Sequence, residues 1–152
     1  MSDLQFRYAE DDDLAAIVAL LADDEFGEAR EQSGGAVCAD YEQAFKDMSQ
    51  SPGNRILLAE QDGKIVGALQ LVFIPGLSRR GVKRALIEAV RVASDTRGAG
   101  IGSALMRHAI EEAKQAGCKL VQLTSDVRRK RAHLFYRRLG FEQSHIGFKR
   151  EL

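Results

Sequence analysis

The chain has no tryptophan, two prolines, two cysteines, no surplus of charge and no long apolar run. Its 22 basic residues balance 22 acidic ones, so composition gives no electrostatic bias toward nucleic acids or anionic membranes. No apolar stretch approaches the roughly 20 residues of a transmembrane helix, and the first residues lack the basic-then-apolar pattern of a secretory signal. We therefore expect a soluble, cytoplasmic protein with no nucleic-acid or membrane partner.

The metal-ligating residues are few and scattered. Cys38 and Cys118 lie far apart, without a CxxC pair or a histidine at ligand spacing. The three histidines, His108, His133 and His145, share no ligand spacing either. We expect no metal, no disulfide and a buried position for Cys118.

Hydrophobic periodicity divides the 152 residues into alternating strands and helices. The predicted order is strand, two helices, three strands, helix, strand, helix, strand. Predicted strands lie near residues 4–8, 55–60, 64–73, 85–93, 119–125 and 141–149, and predicted helices near 14–21, 41–48, 101–116 and 128–139.

This order predicts one domain over residues 1–152, with an α/β fold and a mixed sheet that is antiparallel in its first half. Asp62 and Gly63 predict a tight hairpin between the second and third strands. A right-handed strand-helix-strand crossover is expected between residues 85 and 125.

The segment RGAGIG, residues 97–102, places a cation and three glycines directly before a predicted helix. Glycines and a helix start favour a phosphate ligand, because both expose backbone amides. A P-loop is excluded because no lysine follows these glycines. A dinucleotide fingerprint fits poorly, because Ser103 stands at its third glycine position. Asp126 lies where a ribose-binding carboxylate would be, yet only 26 residues follow it, too few for further strand-helix units.

RGAGIG resembles the pyrophosphate loop of the GNAT family of N-acetyltransferases, written [QR]xxGx[GA]. The strand ending in VRVA before the loop and AHLFYRRLGF after it are similar to that family as well. The resemblance spans essentially the whole chain and implies a GNAT-like acyl-CoA N-acyltransferase fold, whose central parallel strand pair splays apart. It implies acetyl-CoA as co-substrate and a primary amine of a small molecule or peptide as acceptor. Dimerisation is common in the family, so a homodimer stays open.

The resemblance also assigns the contacts of the donor. Backbone groups of three strand residues would pair with the pantetheine arm, and the loop and helix start would hold the diphosphate. The predicted cofactor-binding residues are Val90, Arg91, Val92, Arg97, Gly98, Ala99, Gly100, Ile101, Gly102 and Ser103.

Two residues are candidates for catalysis. Tyr136 matches the family tyrosine that protonates the coenzyme A sulfur, and the alternative is that its ring only fills the apolar face of the helix. Glu88 interrupts an apolar strand and is a candidate general base, with a salt bridge to Arg84, Arg91 or another neighbour as the alternative. Simple strand alternation places Glu88 on the side of Val90 and Val92, although a bulge would change that.

The acceptor is left open. In the family its site is built from the first two helices, their connecting loop and the connection before the fourth strand, here residues 23–35 and 74–84. Acidic residues including Asp23 and Glu28 would attract a cationic amine, whereas the basic connection would favour an acidic acceptor. The RRKR segment at 128–131 is either a phosphate contact or a solvated face, and Arg129 replaces a common family asparagine. A non-catalytic acetyl-CoA sensor is the alternative function.

Overall fold

The computed structural model describes residues 3–27, 30–31 and 37–152. These group into two compact units, one ending at Gln122 and one comprising Leu123–Leu152. The strands are β1 (Gln5–Tyr8), β2 (Asn54–Gln61), β3 (Lys64–Ile74), β4 (Arg84–Val92) and β5 (Leu120–Leu123). The helices are α1 (Leu14–Ala22), α2 (Ala39–Ser49), α3 (Ser78–Gly81), α4 (Ile101–Gln115) and α5 (Lys130–Arg138), with 3-10 turns at Asp11–Asp13 and Ser94–Thr96.

The five strands form one sheet in the order of the chain. The first four are antiparallel to their neighbours, while β4 and β5 form a parallel pair joined through α4. Asp62 and Gly63 adopt left-handed φ values of 52° and 73° in the tight turn between β2 and β3. The predicted mixed sheet, its antiparallel first half and the hairpin are confirmed.

Alternation along β3 separates two faces of this sheet. Gly67 faces α4, because a Cβ built on it would lie 3.4 Å from a methyl carbon of Leu105. The next residue, Ala68, belongs to a buried cluster with Ile17 and Leu20 of α1. We call these the α4 face and the α1/α2 face.

Helix α1 begins where the sequence places three carboxylates. The backbone N–H of Glu10 donates to the Asp13 carboxylate at 2.8 Å, and the Arg7 guanidinium donates to the same carboxylate at 2.7 and 2.9 Å. This arrangement joins the end of β1 to the start of α1, and it lowers the pKa of Asp13, chiefly through the bond from Arg7.

The predicted strand at 141–149 is wrong: the structure has no regular element after α5. The alternating pattern is present, but a strand also needs a neighbour to share its backbone bonds. Strand β5 is shorter than the strand predicted near residues 119–125, and its four residues are half-buried at the sheet edge. Arg79 and Arg80 in the predicted connection have left-handed φ values of 54° and 61°, so α3 is a distorted single turn.

Across the described ranges, no helix combines the length and hydropathy that spanning a bilayer requires.

Candidate active site

A bulge interrupts β4 close to the predicted catalytic carboxylate. Gln70 of β3 lies opposite Glu88, and Ala68 lies opposite Arg91, so two residues of β4 face a single residue of β3. Ala89, the first residue of the bulge, has a left-handed φ of 51°. The bulge bends the strand and redirects the side chains that follow it.

The bulge changes the side on which Glu88 lies. Since Gln70 and Ala68 belong to one face of β3, their partners Glu88 and Arg91 both belong to the α1/α2 face. The expectation that Glu88 shares a side with Val92 is therefore wrong, because Val92 lies opposite Gly67 on the α4 face. The extra residue inverts the alternation between the two positions.

Glu88 is half-buried, and the described part of the chain offers it no ion pair. Of its predicted partners, Arg84 donates to Gln122 at 3.0 Å and to Ser78 at 3.2 Å. The Arg91 guanidinium lies 3.8 Å from the Asp24 carboxylate instead. The structure therefore does not support the salt-bridge alternative for Glu88.

The glycine loop before α4 has the backbone geometry that its sequence predicts. Gly98 and Gly100 have left-handed φ values of 88° and 81°, and a Cβ on either would meet no atom within 4 Å. No side chain caps α4 at Gly100. The first helical bond runs from the Ala104 N–H to the Gly100 carbonyl, so the amides of residues 101–103 have no partner within the helix. Unpaired amides at a helix start are the groups that proteins commonly offer to an anion.

Arg97 makes backbone contacts beside this loop. Its Nε donates to the Val92 carbonyl at 3.1 Å and its Nη2 donates to the Asp23 carbonyl at 2.6 Å. The Arg91 Nη1 likewise donates to the Val90 carbonyl at 2.9 Å. Two of the carbonyls predicted to pair with pantetheine thus accept from guanidinium groups in this structure.

A cavity of about 170 Å³ opens on the α1/α2 face, between α1, α2 and the bulged part of β4. Apolar side chains make up most of its wall, and Tyr41, Gln70 and Arg91 supply the polar groups. The Tyr41 hydroxyl donates to Glu31 at 2.7 Å, and this bond is the main reason that the pKa of Glu31 is below its usual range. The cavity lies on the same face as Glu88.

Sequence reasoning did not identify this cavity. Arg91 was assigned for its backbone, whereas its side chain lines the cavity with only 12% of its surface exposed. The sequence does show that Arg91 is a charged residue within an apolar strand. It does not show the bulge that turns this side chain toward the cavity, because the hydrophobic pattern of the strand is the same with or without it. The predicted contribution of Glu28 falls outside the described residues.

In the unit from Leu123 onward, Tyr136 lies half-buried on α5. Its ring meets those of Phe135 and Phe141 edge-on, with centroids 5.2 and 6.1 Å away. Asp126 accepts from the Arg128 backbone at 2.9 Å and from its guanidinium at 2.7 Å, which holds the pKa of Asp126 far below its usual range. The Asp126 carboxylate is thus bonded to its own loop, as expected for a turn.

The described residues contain no cluster of three metal-ligating side chains. Cys38 is an exposed thiol and Cys118 a buried one, so the predicted burial of Cys118 is confirmed. Burial raises the pKa of the Cys118 thiol.

Known proteins with related sequences share this architecture. The model of the acetyltransferase (GNAT) family matches residues 14–141. An aminoalkylphosphonate N-acetyltransferase of Salmonella typhimurium is 38% identical over 117 residues, which are 74% of this chain and 75% of that protein. A glucosamine 6-phosphate N-acetyltransferase of Trypanosoma brucei brucei is 32% identical over 141 residues, 91% of this chain and 89% of the relative. The crystal structure of a transcriptional regulator from Bacillus halodurans superimposes with a TM-score of 0.95 at 43% identity, covering 99% of this chain and 100% of its own.

The family match includes β4, the glycine loop and α5, the segments in which the sequence resemblance is sharpest. The Salmonella and Trypanosoma relatives, at 38% and 32% identity, are both named as N-acetyltransferases. The chain belongs to the GNAT acetyltransferase family and is an N-acetyltransferase.

Proposed function

We propose that this chain moves an acetyl group from the thioester of acetyl-CoA to a primary amine of a small molecule or peptide, by direct attack in a ternary complex. The family uses acetyl-CoA. The observation that carries the proposal is the uncapped start of α4 behind two left-handed glycines with open space around them. The cytoplasmic location stays a prediction.

The loop residues fit the diphosphate of the donor. The amides of Gly98 to Ser103 would donate to its oxygens, and the positive end of the α4 dipole would favour its charge. Arg97 is close enough in sequence to add a charge-assisted bond, at the expense of its carbonyl contacts. The backbone of Val90, Arg91 and Val92 would bind the pantetheine amides, since β4 with nine residues extends beyond four-residue β5.

Acetyl transfer needs a neutral amine and a proton for the departing thiolate, while the donor supplies the activated carbonyl. We assign Glu88 to remove the proton of the amine, directly or through water, because its side chain is half-buried on the cavity face and forms no ion pair with a described residue. We assign Tyr136 to protonate the thiolate, following the family motif. A phenol is protonated at neutral pH and can serve this role.

The acceptor would enter the cavity between α1, α2 and the bulge. Its apolar wall favours an amine with an alkyl or otherwise apolar body, and Arg91 offers a charge for an anionic group. The two relatives named as N-acetyltransferases act on amines that carry a phosphonate or phosphate group. An amine panel should therefore include aminoalkylphosphonates, amino-sugar phosphates and plain alkylamines.

Two variants test the donor site. Each replaces a left-handed glycine by alanine, one in the glycine loop and one, as a control, in a hairpin turn. Gly100→Ala puts a side chain on a left-handed residue in the loop, and Gly63→Ala does the same in the β2–β3 hairpin, where φ is 73° and space is also open. Both should lose about 1 kcal/mol of stability. Only Gly100→Ala should weaken the thermal stabilisation by coenzyme A. Equal stabilisation of both variants and the parent would contradict the assignment.

Free-thiol release from acetyl-CoA across the amine panel then measures catalysis. Thiol release that depends on one class of amine supports the transferase. Saturable coenzyme A binding without thiol release for any amine would instead favour the acetyl-CoA sensor.

A further inference from the structure

The cavity on the α1/α2 face contains a positive charge. Among the described residues of its wall, Arg91 is the only charged one, and Tyr41 and Gln70 are the other polar ones. The Arg91 side chain is 12% exposed, and a guanidinium at that depth is costly unless charged or hydrogen-bonding groups meet it. In a mostly apolar cavity, a group of this kind fixes the orientation of a ligand.

The Arg91 guanidinium is oriented by contacts with groups outside the cavity wall. Its Nη1 donates to the Val90 carbonyl at 2.9 Å, and its Nη2 lies 3.8 Å from the Asp24 carboxylate. The second distance is longer than the about 2.7–2.9 Å of a charge-assisted hydrogen bond. An anion in the cavity that reached hydrogen-bonding distance would therefore interact with Arg91 more strongly than Asp24 does.

The β4 bulge places Arg91 on the same face of the sheet as Glu88. Residues three apart on a regular strand lie on opposite faces. Because the bulge adds a residue between them, Glu88 and Arg91 lie opposite Gln70 and Ala68, which are two apart on β3. Their backbone positions are therefore separated by about 7 Å along the sheet. A carboxylate and a guanidinium at this spacing match the two charged ends of a small zwitterion.

We propose that the acceptor carries an anionic group, a carboxylate, phosphonate or phosphate, a few carbon atoms from its primary amine, and that Arg91 binds this group. The inference rests on the proposed acetyl transfer with Glu88 as the base. The planar fork of the Arg91 guanidinium donates to two oxygens of the anion. The amine then lies near Glu88, and the apolar wall packs against the carbon chain between the two ends. The Arg91 side chain is thus the specificity-determining group of the acceptor site.

Three matched acceptors measure this selection. 3-Aminopropylphosphonate, 4-aminobutyrate and butylamine share a short alkyl chain and a primary amine, and only the first two carry an anion. Free-thiol release from acetyl-CoA should give a kcat/KM for the better anionic acceptor at least about 30-fold above that for butylamine, the lower end for a buried charge pair. The order of the two anionic acceptors distinguishes a phosphonate site from a carboxylate site. A ratio smaller than this would overturn the proposal.

Substitutions of two arginines assign the selection to one side chain. Arg91→Met removes the charge and should bring the kcat/KM ratio within about threefold of one, whereas Arg91→Lys keeps a charge and should restore part of the ratio. Arg55→Met is the matched control, because Arg55 is exposed and lies over the Tyr8 ring on the α4 face. It should leave the ratio within about threefold of the parental value. The ratio is insensitive to changes in donor binding, since all acceptors use the same donor. An unchanged ratio in Arg91→Met would overturn the proposal.

Binding without catalysis separates this inference from the proposed function. Propylphosphonate has the anion and the alkyl chain but no amine, so it cannot be acetylated. In calorimetry with coenzyme A present, the parent should bind it saturably, Arg91→Met at least about tenfold more weakly, and Arg55→Met as the parent does. If no amine releases thiol while this pattern of binding holds, the proposed function is wrong and the anion site at Arg91 is supported. If amines release thiol but propylphosphonate binding does not depend on Arg91, the proposed function stands and this inference is overturned.

Discussion

The two faces of the sheet are built differently although they share the same strands. Helix α4 buries five side chains against its face, and Leu105, Met106 and Ala109 have no exposed surface. Helix α2 on the other face buries none and leaves a cavity beside the β4 bulge. The comparison teaches that α4 packs closely along its face, whereas the other face is closely packed only against α1 and keeps space and polar groups beside α2.

The glycine loop, residues 97–102, leads into the helix that covers the α4 face. Because Ile101 and Leu105 are buried, the start of α4 is held against the sheet, while the amides of residues 101–103 have no partner within the helix. A rigid helix start costs little entropy when it binds an anion, since its donors are already in place. Packing of α4 against the sheet would therefore favour anion binding at the start of this helix.

The largest expected effect concerns Glu88 on the α1/α2 face. Glu88→Gln should lower kcat/KM by about 10²–10⁴, the usual contribution of a general base, while the stability of the fold changes by less than about 1 kcal/mol. Amine acetylation rates and urea unfolding measure the two quantities. Coenzyme A affinity is the internal control and should stay at the parental value. An unchanged pH profile of kcat would remove Glu88 from the mechanism.

The next effect is on stability and tests the two faces directly. Leu105→Ala should lower the free energy of unfolding by about 2–5 kcal/mol, because its site is fully buried and closely packed. Phe45→Ala on α2 should cost about 1–2 kcal/mol, since Phe45 is half-buried and lines the cavity.

Denaturant unfolding of both variants, with KM for the acceptor, completes this test. A change in KM in Phe45→Ala but not in Leu105→Ala would support the difference between the α1/α2 face and the α4 face. Equal losses of unfolding free energy in the two variants would contradict this difference.

Removing the hydroxyl from each of two tyrosines separates a role in proton transfer from a role in stability. Tyr136→Phe should lower kcat by about 10², the lower end for proton transfer by a side chain. Tyr8→Phe on the α4 face removes a hydroxyl that donates to Glu112 at 2.7 Å, and it should cost about 1 kcal/mol of stability without changing kcat. Burial and the bond to Glu112 raise the pKa of Tyr8 to about 12, so its hydroxyl stays protonated throughout the assay range. Loss of kcat in Tyr8→Phe alone would reverse the assignment.

The smallest effect is the pH dependence of stability at the start of α1. The pKa of Asp13 is lowered in the folded protein, so its contribution is present above the ordinary carboxyl pKa and is lost as pH falls through the folded value. Asp13→Asn should cost below about 1 kcal/mol at neutral pH, because solvent screens the partner Arg7. The cost should shrink toward low pH in thermal melts.

The sequence predicts this molecule best where local chemistry decides. Aspartates at 11–13, the Asp62-Gly63 turn and the glycines before α4 each fix their own backbone, and each appears where expected. Features that depend on a neighbour are harder to read from one chain. The side of Glu88 depends on a bulge that only the β3 register reveals, and the strand predicted at 141–149 lacks a partner within the chain.

Ala89 carries a further consequence for engineering. A residue with a Cβ in the left-handed region costs about 1–2 kcal/mol that glycine avoids, and Ala89 lies in the wall of the cavity on the α1/α2 face. Replacing Ala89 by glycine should therefore stabilise the protein at the position where β4 is bulged. In laboratory evolution, selection for heat resistance should favour glycine at position 89, whereas selection for activity should retain alanine.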